Sequence, residues 1–224
     1  MKKIKQIVTI FATLALAVTA GLSFAGTKTK AAGSDEFTRT AIEIAADMGY
    51  GWNLGNTMEA TNTWTSNPKV TDFETAWGQP VTTKDMIDGI KKAGFNSIRI
   101  PVSWSNMMSS DGNYIIDASY FKRVDEIISY AFANDMYVII NDHYDGGWWE
   151  HFCGNKRDCM KHYKNMWTQV AGHYKDYSEK LIFESANEEL GDSLKKSLSK
   201  IDVNISDTAL YNLVNEINQT FVDI

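Results

Sequence analysis

Short apolar stretches alternate along the chain with longer stretches in which apolar residues recur every three or four positions. The short stretches predict four β-strands, within residues 49–56, 95–102, 136–142 and 180–188. The third is apolar almost throughout, which is typical of a strand covered on both faces. Because strands and helices alternate, we predict an α/β fold in which crossover helices join parallel strands.

Four helices are predicted from the recurring apolar positions. The first covers residues 82–94, and we expect Thr82 and Asp85 to cap its start and Gly94 to end it. The third spans roughly residues 160–176, the last opens at Asp207, and residues 57–80 are expected to form a long loop. The residues predicted to face inward are Met86, Ile87, Ile90 and Ala93; Phe121, Val124, Ile128 and Ala131; Tyr163, Met166, Trp167 and Val170; and Leu210, Leu213, Val214, Ile217 and Phe221.

The N-terminus has the composition of a secretory signal peptide. Three lysines precede an apolar run from Ile7 to Ala20, and Ser23-Phe24-Ala25 fits a cleavage site. The run is too short to cross a bilayer, which disfavours a membrane anchor. We therefore expect a signal peptide over residues 1–25, a flexible leader over residues 26–36, and a secreted protein that leaves the membrane after cleavage.

The charge balance limits the partners of the protein. The formal net charge is −6, and loss of Lys2, Lys3 and Lys5 with the signal peptide would change it to −9. An acidic surface argues against nucleic acids and anionic membranes as partners. It is compatible with a neutral polymer, and the seven Trp, ten Tyr and ten Phe residues provide flat apolar surfaces for one.

The two cysteines, Cys153 and Cys159, leave three interpretations open. A local disulfide is plausible in an exported protein, and two free thiols are the alternative. His143, His151 and His162 bracket the cysteines, but their spacings match no familiar zinc pattern, so we predict no metal site.

Each predicted strand ends in polar residues. The carboxyl ends of parallel strands in a barrel share one rim, and active sites of such barrels lie there. We therefore expect these side chains to share one pocket, whereas Glu184 is expected to point away from Glu188 and to be structural. The polar residues at the four ends are Asn53 and Asn56; Arg99, Ser103 and Trp104; Asn141, Asp142, His143 and Tyr144; and Asn187 and Glu188.

The chemistry that these groups suit is cleavage of a glycosidic bond, which needs one carboxylic acid and a second carboxylate. Glu188 would be the acid, kept protonated by desolvation in a partly apolar pocket. Asn187 can bind a sugar 2-hydroxyl, and Arg99 can keep the second carboxylate ionised. The aromatic residues expected to pack on sugar rings are Trp104, Tyr144, Trp148 and Trp149.

Four segments together resemble glycoside hydrolase family 5, in particular its bacterial endoglucanase and xyloglucanase branch. They read "GWNLGNTMEA", "TAWGQPVTTKDMIDGIKKAGFNSIRIPVSW", "VIINDHYDGGWW" and "LIFESANE", and the resemblance extends from about Gly49 to Ile224. It implies a (β/α)8 TIM barrel and retaining hydrolysis of β-1,4-glucans without a cofactor. By motif, Glu188 corresponds to the acid/base, Asn187 to its neighbour on the sugar, and Arg99 to the arginine that orients the nucleophile.

The sequence departs from the family pattern at several points. His143 matches the first histidine of a family pair that lines a substrate subsite, and Tyr144 replaces the second. Glu189 stands where the family usually has proline. The nucleophilic glutamate that ends the seventh strand in the family has no counterpart, since neither Glu189 nor Glu216 fits its place.

A full barrel takes about 250 residues. Residues 37–224 are therefore expected to form the N-terminal half of a catalytic barrel, as a fragment that is inactive and poorly monomeric alone, whereas the full-length enzyme is expected to be a monomer. The alternatives are a non-catalytic glycan-binding half-barrel, specificity for β-mannan or xyloglucan, and a metal-dependent hydrolase, the last being least favoured.

Overall fold

The computed structural model describes residues 39–188 and 205–224, and within them four parallel strands form one sheet in the order β1-β2-β3-β4. All four predicted strands and their parallel arrangement are confirmed. The predicted signal peptide and leader lie outside the described residues. The strands are β1 (Gly51–Asn53), β2 (Ser97–Ile100), β3 (Tyr137–Asn141) and β4 (Leu181–Glu184).

The helices follow the predicted alternation with three differences. The 41–48 segment is a helix that was not predicted, the expected loop over residues 57–80 contains a short helix, and the third predicted helix begins four residues earlier than expected. Two short 3₁₀ turns, Trp104–Met107 and Asp145–His151, follow strands β2 and β3. The helices are α1 (Ala41–Met48), α2 (Val70–Glu74), α3 (Lys84–Lys92), α4 (Ala118–Phe132), α5 (Lys156–Tyr174) and α6 (Asp207–Asp223).

Helix α3 is capped by Thr83 and not by Thr82, so the predicted cap is wrong by one residue. The N-cap is Thr83, whose hydroxyl oxygen accepts a hydrogen bond from the Met86 N–H at 3.3 Å. Thr82 is buried instead, and its backbone N–H donates to Glu74 Oε1 at 2.7 Å. Gly94 follows the helix with a φ of +99°, as predicted, because this left-handed conformation suits glycine.

The core lies between the sheet and the helices that cover one of its faces. Alternate residues of the strands, Ile98, Ile100, Val138 and Ile140, are buried in it. The predicted inward residues of α4 and α5 are all buried, whereas Ala93, directly after α3, is exposed and Val214 and Phe221 of α6 are half-buried. Because strand residues alternate between faces, Arg99, Asn141 and Glu184 project from the opposite face.

A buried ion pair fastens the segment after β1 to helix α4. Arg123 donates from Nε and Nη2 to the two carboxylate oxygens of Glu74, at 2.9 and 2.8 Å, and Nη2 also donates to the Thr82 carbonyl at 2.7 Å. Glu74 is fully buried. These bonds fix the connection that leads from the end of β1 back to α3. In the two described stretches no helix combines the length and apolarity needed to cross a bilayer.

Candidate active site

Arg99 joins the carboxyl ends of three of the four strands. Its Nε and Nη2 donate to Glu184 Oε2 and Oε1 at 2.8 and 2.7 Å. Its Nη1 donates to Asn53 Oδ1 at 3.1 Å, and Nη2 also donates to Asn187 Oδ1 at 3.0 Å. The strand ends therefore meet at one rim, as predicted from their polar residues.

The sheet register explains this arrangement. Arg99 pairs with Ile139 of β3, which pairs with Ile182 of β4, so the three residues share a row and a face. Asn141 and Glu184 lie two residues further along their strands and therefore on the same face. The long guanidinium side chain of Arg99 can reach toward that next row, which is where Glu184 accepts its hydrogen bonds.

His143 lies half-buried directly after β3. The Asn141 carboxamide oxygen accepts from the Val102 N–H at 3.2 Å, so its nitrogen faces His143 Nδ1 at 3.3 Å and Glu184 Oε1 at 3.3 Å. An amide nitrogen only donates, so Nδ1 accepts and Nε2 carries the proton. Burial, together with the positive charge of Arg99, lowers the pKa of His143. The ring is therefore neutral at pH 7, with Nε2–H as its remaining donor.

Asn187 and Glu188 follow β4 at the same rim. The Asn187 backbone N–H donates to the Asp142 carbonyl at 3.0 Å, which ties this turn to the end of β3. Glu188 is exposed, so the expected desolvation of its carboxyl group is wrong for the described residues. The physical reason is its position on the turn beyond the strand, where no described element covers the side chain.

Glu184, which we expect to be structural and to point away from Glu188, is part of the ion pair with Arg99. Its carboxylate is bound at two points by Arg99 and faces the rim. Although burial raises the pKa of Glu184, the hydrogen bonds from Arg99 and the arginine charge outweigh it and lower that pKa. The direction of Glu184 follows from the alternation of side chains along β4. Phe183 packs on Trp167 of α5, so the next residue, Glu184, must face the other side of the sheet.

Trp104 was predicted to bind sugar and is a core residue instead. It is fully buried, and its indole Nε1–H donates to the Asn141 carbonyl at 2.9 Å. The ring packs against Tyr120 and Phe121 of α4, with centroids 6.2 and 5.4 Å away. The 3₁₀ turn after β2 folds the side chain back under the rim, which the linear sequence does not reveal.

Trp148 is half-buried in a column of rings. It stacks on Trp149 and on His162, in both cases with centroids 4.3 Å apart. Both rings lie within stacking distance of the Trp148 indole, at interplanar angles of 23° and 28°, and cover part of it. Trp149 is itself buried. Of the four predicted sugar-binding aromatics, Tyr144 is the one with substantial exposure, at 42%.

Glu59 is a buried carboxylate near the rim that sequence reasoning missed. Its oxygens accept from the backbone N–H groups of Asn56 and Thr57 at 2.5 and 2.9 Å. Burial raises the pKa of Glu59, and these hydrogen bonds oppose the shift. The carboxylate closes the turn after β1, where Asn56 has a φ of +62°, and so supports the strand end that presents Asn53.

The cysteines are two free thiols rather than a disulfide. Cys159 is buried, and burial, with smaller effects of Asp158 and Cys153, raises its pKa to about 11, so it is no thiolate at neutral pH. Within residues 39–188 and 205–224 no three His, Cys, Asp or Glu side chains come close enough together to hold a metal ion.

The parallel sheet and the polar rim at its carboxyl edge place the chain in the (β/α)8-barrel class, of which the described strands represent part. Residues 58–224 match the family profile described as "Cellulase (glycosyl hydrolase family 5)". The chain belongs to this family, which confirms the resemblance of the four segments.

Known relatives share both the sequence and the fold. Endoglucanase A of Paenibacillus barcinonensis is 40% identical over 216 residues, which are 94% of this chain and 50% of that protein. A broad-specificity endoglucanase from Ruminococcus champanellensis with bound cellotriose is 37% identical, with a TM-score of 0.70 over 83% of this chain and 52% of that one. A family 5 lichenase from Caldicellulosiruptor sp. F32 is 38% identical, with a TM-score of 0.70 over 83% and 50%. The chain thus spans about half the length of these relatives.

Proposed function

We propose that the chain supplies the acid half of the active site of a retaining endo-β-1,4-glucanase. The observation that carries the proposal is the convergence of Asn53, Glu184 and Asn187 on Arg99 at the rim of a family 5 sheet. Endoglucanase A of Paenibacillus barcinonensis is 40% identical over almost the whole chain, which supports the same chemistry.

Glu188 is the proposed general acid. It gives its proton to the bridging oxygen as the glycosidic C–O bond breaks, and later takes a proton from the attacking water. Asn187 Oδ1 is held by Arg99, which orients the carboxamide so that its nitrogen can donate to a sugar 2-hydroxyl. The Nε2–H of neutral His143 is a second donor toward the sugar.

The second carboxylate of the reaction is proposed to come from outside the described residues. Retaining enzymes need it about 5–5.5 Å from the acid, as a nucleophile. Glu184 shares the rim, but two hydrogen bonds to Arg99 occupy its oxygens. Glu216 pairs with Lys156 on the outer helices. Glu189 lies outside the described part of the chain.

The proposed substrate is a β-1,4-glucan. The neutral polymer suits a chain with a formal net charge of −6, and the similar proteins include endoglucanases and a lichenase. β-Mannan and xyloglucan are the alternative polymers. We also propose that residues 1–25 direct secretion to the outside of a bacterial cell, where such a polymer is found, and that the full-length enzyme is a monomer.

The proposal is tested first with the 224-residue chain. We expect it to bind cellotetraose but to release no reducing sugar from carboxymethylcellulose, because hydrolysis needs the second carboxylate. Robust sugar release would contradict the half-site. A chain that does not bind cellotetraose would contradict a glucan function altogether.

The role of Glu188 is tested in an active chimera, in which this chain is joined to the C-terminal half of the Paenibacillus enzyme. Glu188→Gln should lower kcat by about 10²–10⁴-fold, the usual contribution of general acid catalysis. The matched control is Glu216→Gln, which removes a carboxylate of the outer helix α6 and should leave kcat unchanged. Normal turnover of Glu188→Gln would show that another group is the acid. If the unmutated chimera binds glucan but does not hydrolyse it, the non-catalytic glycan-binding alternative is favoured.

A further inference from the structure

The backbone turns sharply directly after His143. Tyr144 has a φ of +54° and a ψ of −50°, and the Asp145 N–H donates to the His143 carbonyl at 2.5 Å. This is a γ-turn with a positive φ at a residue other than glycine, which is rare and strained. Asp145 also has a positive φ, of +50°. Such a conformation persists only where neighbouring bonds hold it.

The side chain of Asp145 provides the first set of these bonds. Its oxygens accept from the Ser105 backbone N–H at 2.6 Å, from the Ser105 hydroxyl at 2.6 Å and from the Trp148 Nε1–H at 2.7 Å. Asp145 is 1% exposed. Ser105 belongs to the 3₁₀ turn that follows β2, so Asp145 fastens the loop after β3 to the neighbouring strand end.

The other side of the γ-turn is held by hydrogen bonds to the backbone of His143 and Tyr144. The His143 N–H donates to the Val102 carbonyl at 3.0 Å. The hydroxyl of buried Ser103 lies 2.8 Å from both the His143 and the Glu59 carbonyl oxygens, and its one proton is shared between them. Beyond the turn, the Gly147 N–H donates to the Tyr144 carbonyl at 2.9 Å. Tyr144 is therefore fixed from both directions.

His162 of α5 completes the support of Ser105. Its Nε2 lies 3.0 Å from the Ser105 hydroxyl oxygen. The single hydroxyl proton is donated to Asp145, so His162 must donate from Nε2–H. The imidazole is sandwiched between Tyr114 and Trp148, with centroid distances of 4.4 and 4.3 Å. This leaves the Ser105 hydroxyl with one partner on each side and a single orientation.

The consequence is a defined direction for the Tyr144 ring. The ring runs along the backbone at Gly147, where a Cβ atom would lie 3.4 Å from the tyrosine oxygen. It is 42% exposed and lies next to His143 at the rim. We propose that Asp145 and Ser105 are positioning residues that hold the γ-turn so that the Tyr144 ring forms a binding face for a glucose unit.

This inference rests on the proposed glucan function and deepens it, because it names the groups that build one sugar contact. A flat ring that is held in place loses little conformational entropy when a sugar packs on it. Without the clamp the turn can relax to an unstrained conformation, and the ring leaves the rim. The clamp acts through Tyr144 and does not touch the sugar.

A double-mutant cycle on the 224-residue chain tests the inference, with cellotetraose binding measured by titration calorimetry. We expect Ser105→Ala, and more strongly Asp145→Asn, to weaken binding by about tenfold, the size of coupling found within contact networks. In a Tyr144→Gly background the same changes should alter binding less than about twofold, since the clamp then has no ring to hold. Ser97→Ala, a buried serine at the other end of β2, is the matched control and should change binding in neither background.

Each outcome decides the matter. Equal losses with and without the Tyr144 ring, or no loss from Ser105→Ala, would overturn the inference while leaving the glucan function in place. Ser105→Ala keeps the backbone N–H bond to Asp145 and is the variant that counts if Asp145→Asn does not fold. If the unmutated chain does not bind cellotetraose, the proposed function fails, and the inference fails with it.

Discussion

Arg99 of β2 and Glu184 of β4 form a two-point ion pair that passes across the intervening strand β3. The two hydrogen bonds are 2.8 and 2.7 Å long, and the side chains are 22% and 33% exposed. The pair links strands that are not neighbours in the sheet, and it sets the position of the guanidinium group on which Asn53 and Asn187 also converge.

We predict that Arg99→Lys lowers the free energy of unfolding by about 1–2 kcal/mol, although the charge is kept, because an ammonium group cannot donate along two parallel directions. Urea unfolding measures the change. The matched control is Lys84→Arg, in an exposed helix pair with Asp88, which should change stability by less than about 0.5 kcal/mol. Equal stability of Arg99→Lys and the unmutated chain would show that the two-point geometry contributes nothing.

The buried pair of Glu74 and Arg123 should be far more sensitive. Glu74→Ala leaves Nε and Nη2 of the Arg123 side chain, which is 10% exposed, without the carboxylate that they bind, whereas Nη1 keeps its pairing with Glu126. We expect a loss of about 3–5 kcal/mol in the free energy of unfolding, the usual effect of breaking a buried ion pair. Asp88→Ala at the exposed pair is the control, and a loss at Glu74 no larger than that at Asp88 would contradict the burial of the pair.

Trp104 and Tyr144 should respond in opposite ways. Trp104→Ala is expected to lower the free energy of unfolding by about 3–5 kcal/mol, because it empties a large core volume. Tyr144→Ala should weaken cellotetraose binding with a smaller loss of stability, because its ring is exposed at the rim. Thermal unfolding and titration calorimetry on both variants separate the two roles. A purely stabilising role of Tyr144 would remove the proposed sugar contact.

His162 should make the protein less stable in acid. Burial lowers its pKa to about 4 in the folded protein, from an ordinary value of 6.5. Between these values the unfolded chain binds the proton and the folded chain does not, so stability falls as pH decreases from about 6.5 to 4. The full shift corresponds to about 3 kcal/mol.

The measurement is the pH dependence of unfolding for His162→Gln against the unmutated chain, because other groups also titrate in this range. One such group is Asp145, which is connected to His162 by the Ser105 hydroxyl, and burial raises the pKa of Asp145. In His162→Gln the free energy of unfolding should fall less steeply between pH 6.5 and 4 than in the unmutated chain. His151→Gln, at an exposed histidine, should keep the slope of the unmutated chain. Identical pH profiles for His162→Gln and the unmutated chain would contradict a neutral, buried imidazole.

Much of the fold and part of the site could be predicted from the sequence. The strands were predictable because short apolar stretches separated by amphipathic helices leave few other arrangements. The rim was predictable because parallel strands place their carboxyl ends together, which brings Arg99 and Asn187 into contact.

The errors arose where a short turn decides the direction of a side chain. Trp104 and Tyr144 both follow strand ends, yet a 3₁₀ turn buries the first and a strained γ-turn exposes the second. The sequence also does not show that the carboxylate facing Arg99 would be Glu184, since that depends on the strand register. Exposure of Glu188 likewise depends on what covers the turn after β4 and not on the residues within it.

We propose that the strand ends around Arg99 form a glucan-binding rim. The most direct test follows backbone amide shifts of the 224-residue chain by NMR while cellotetraose is added. We predict that the largest changes occur at Arg99, His143, Tyr144, Asn187 and Glu188. Changes that cluster instead at the opposite end of the sheet, around Asn96, Tyr137 and Lys180, would contradict a glucan-binding site at this rim.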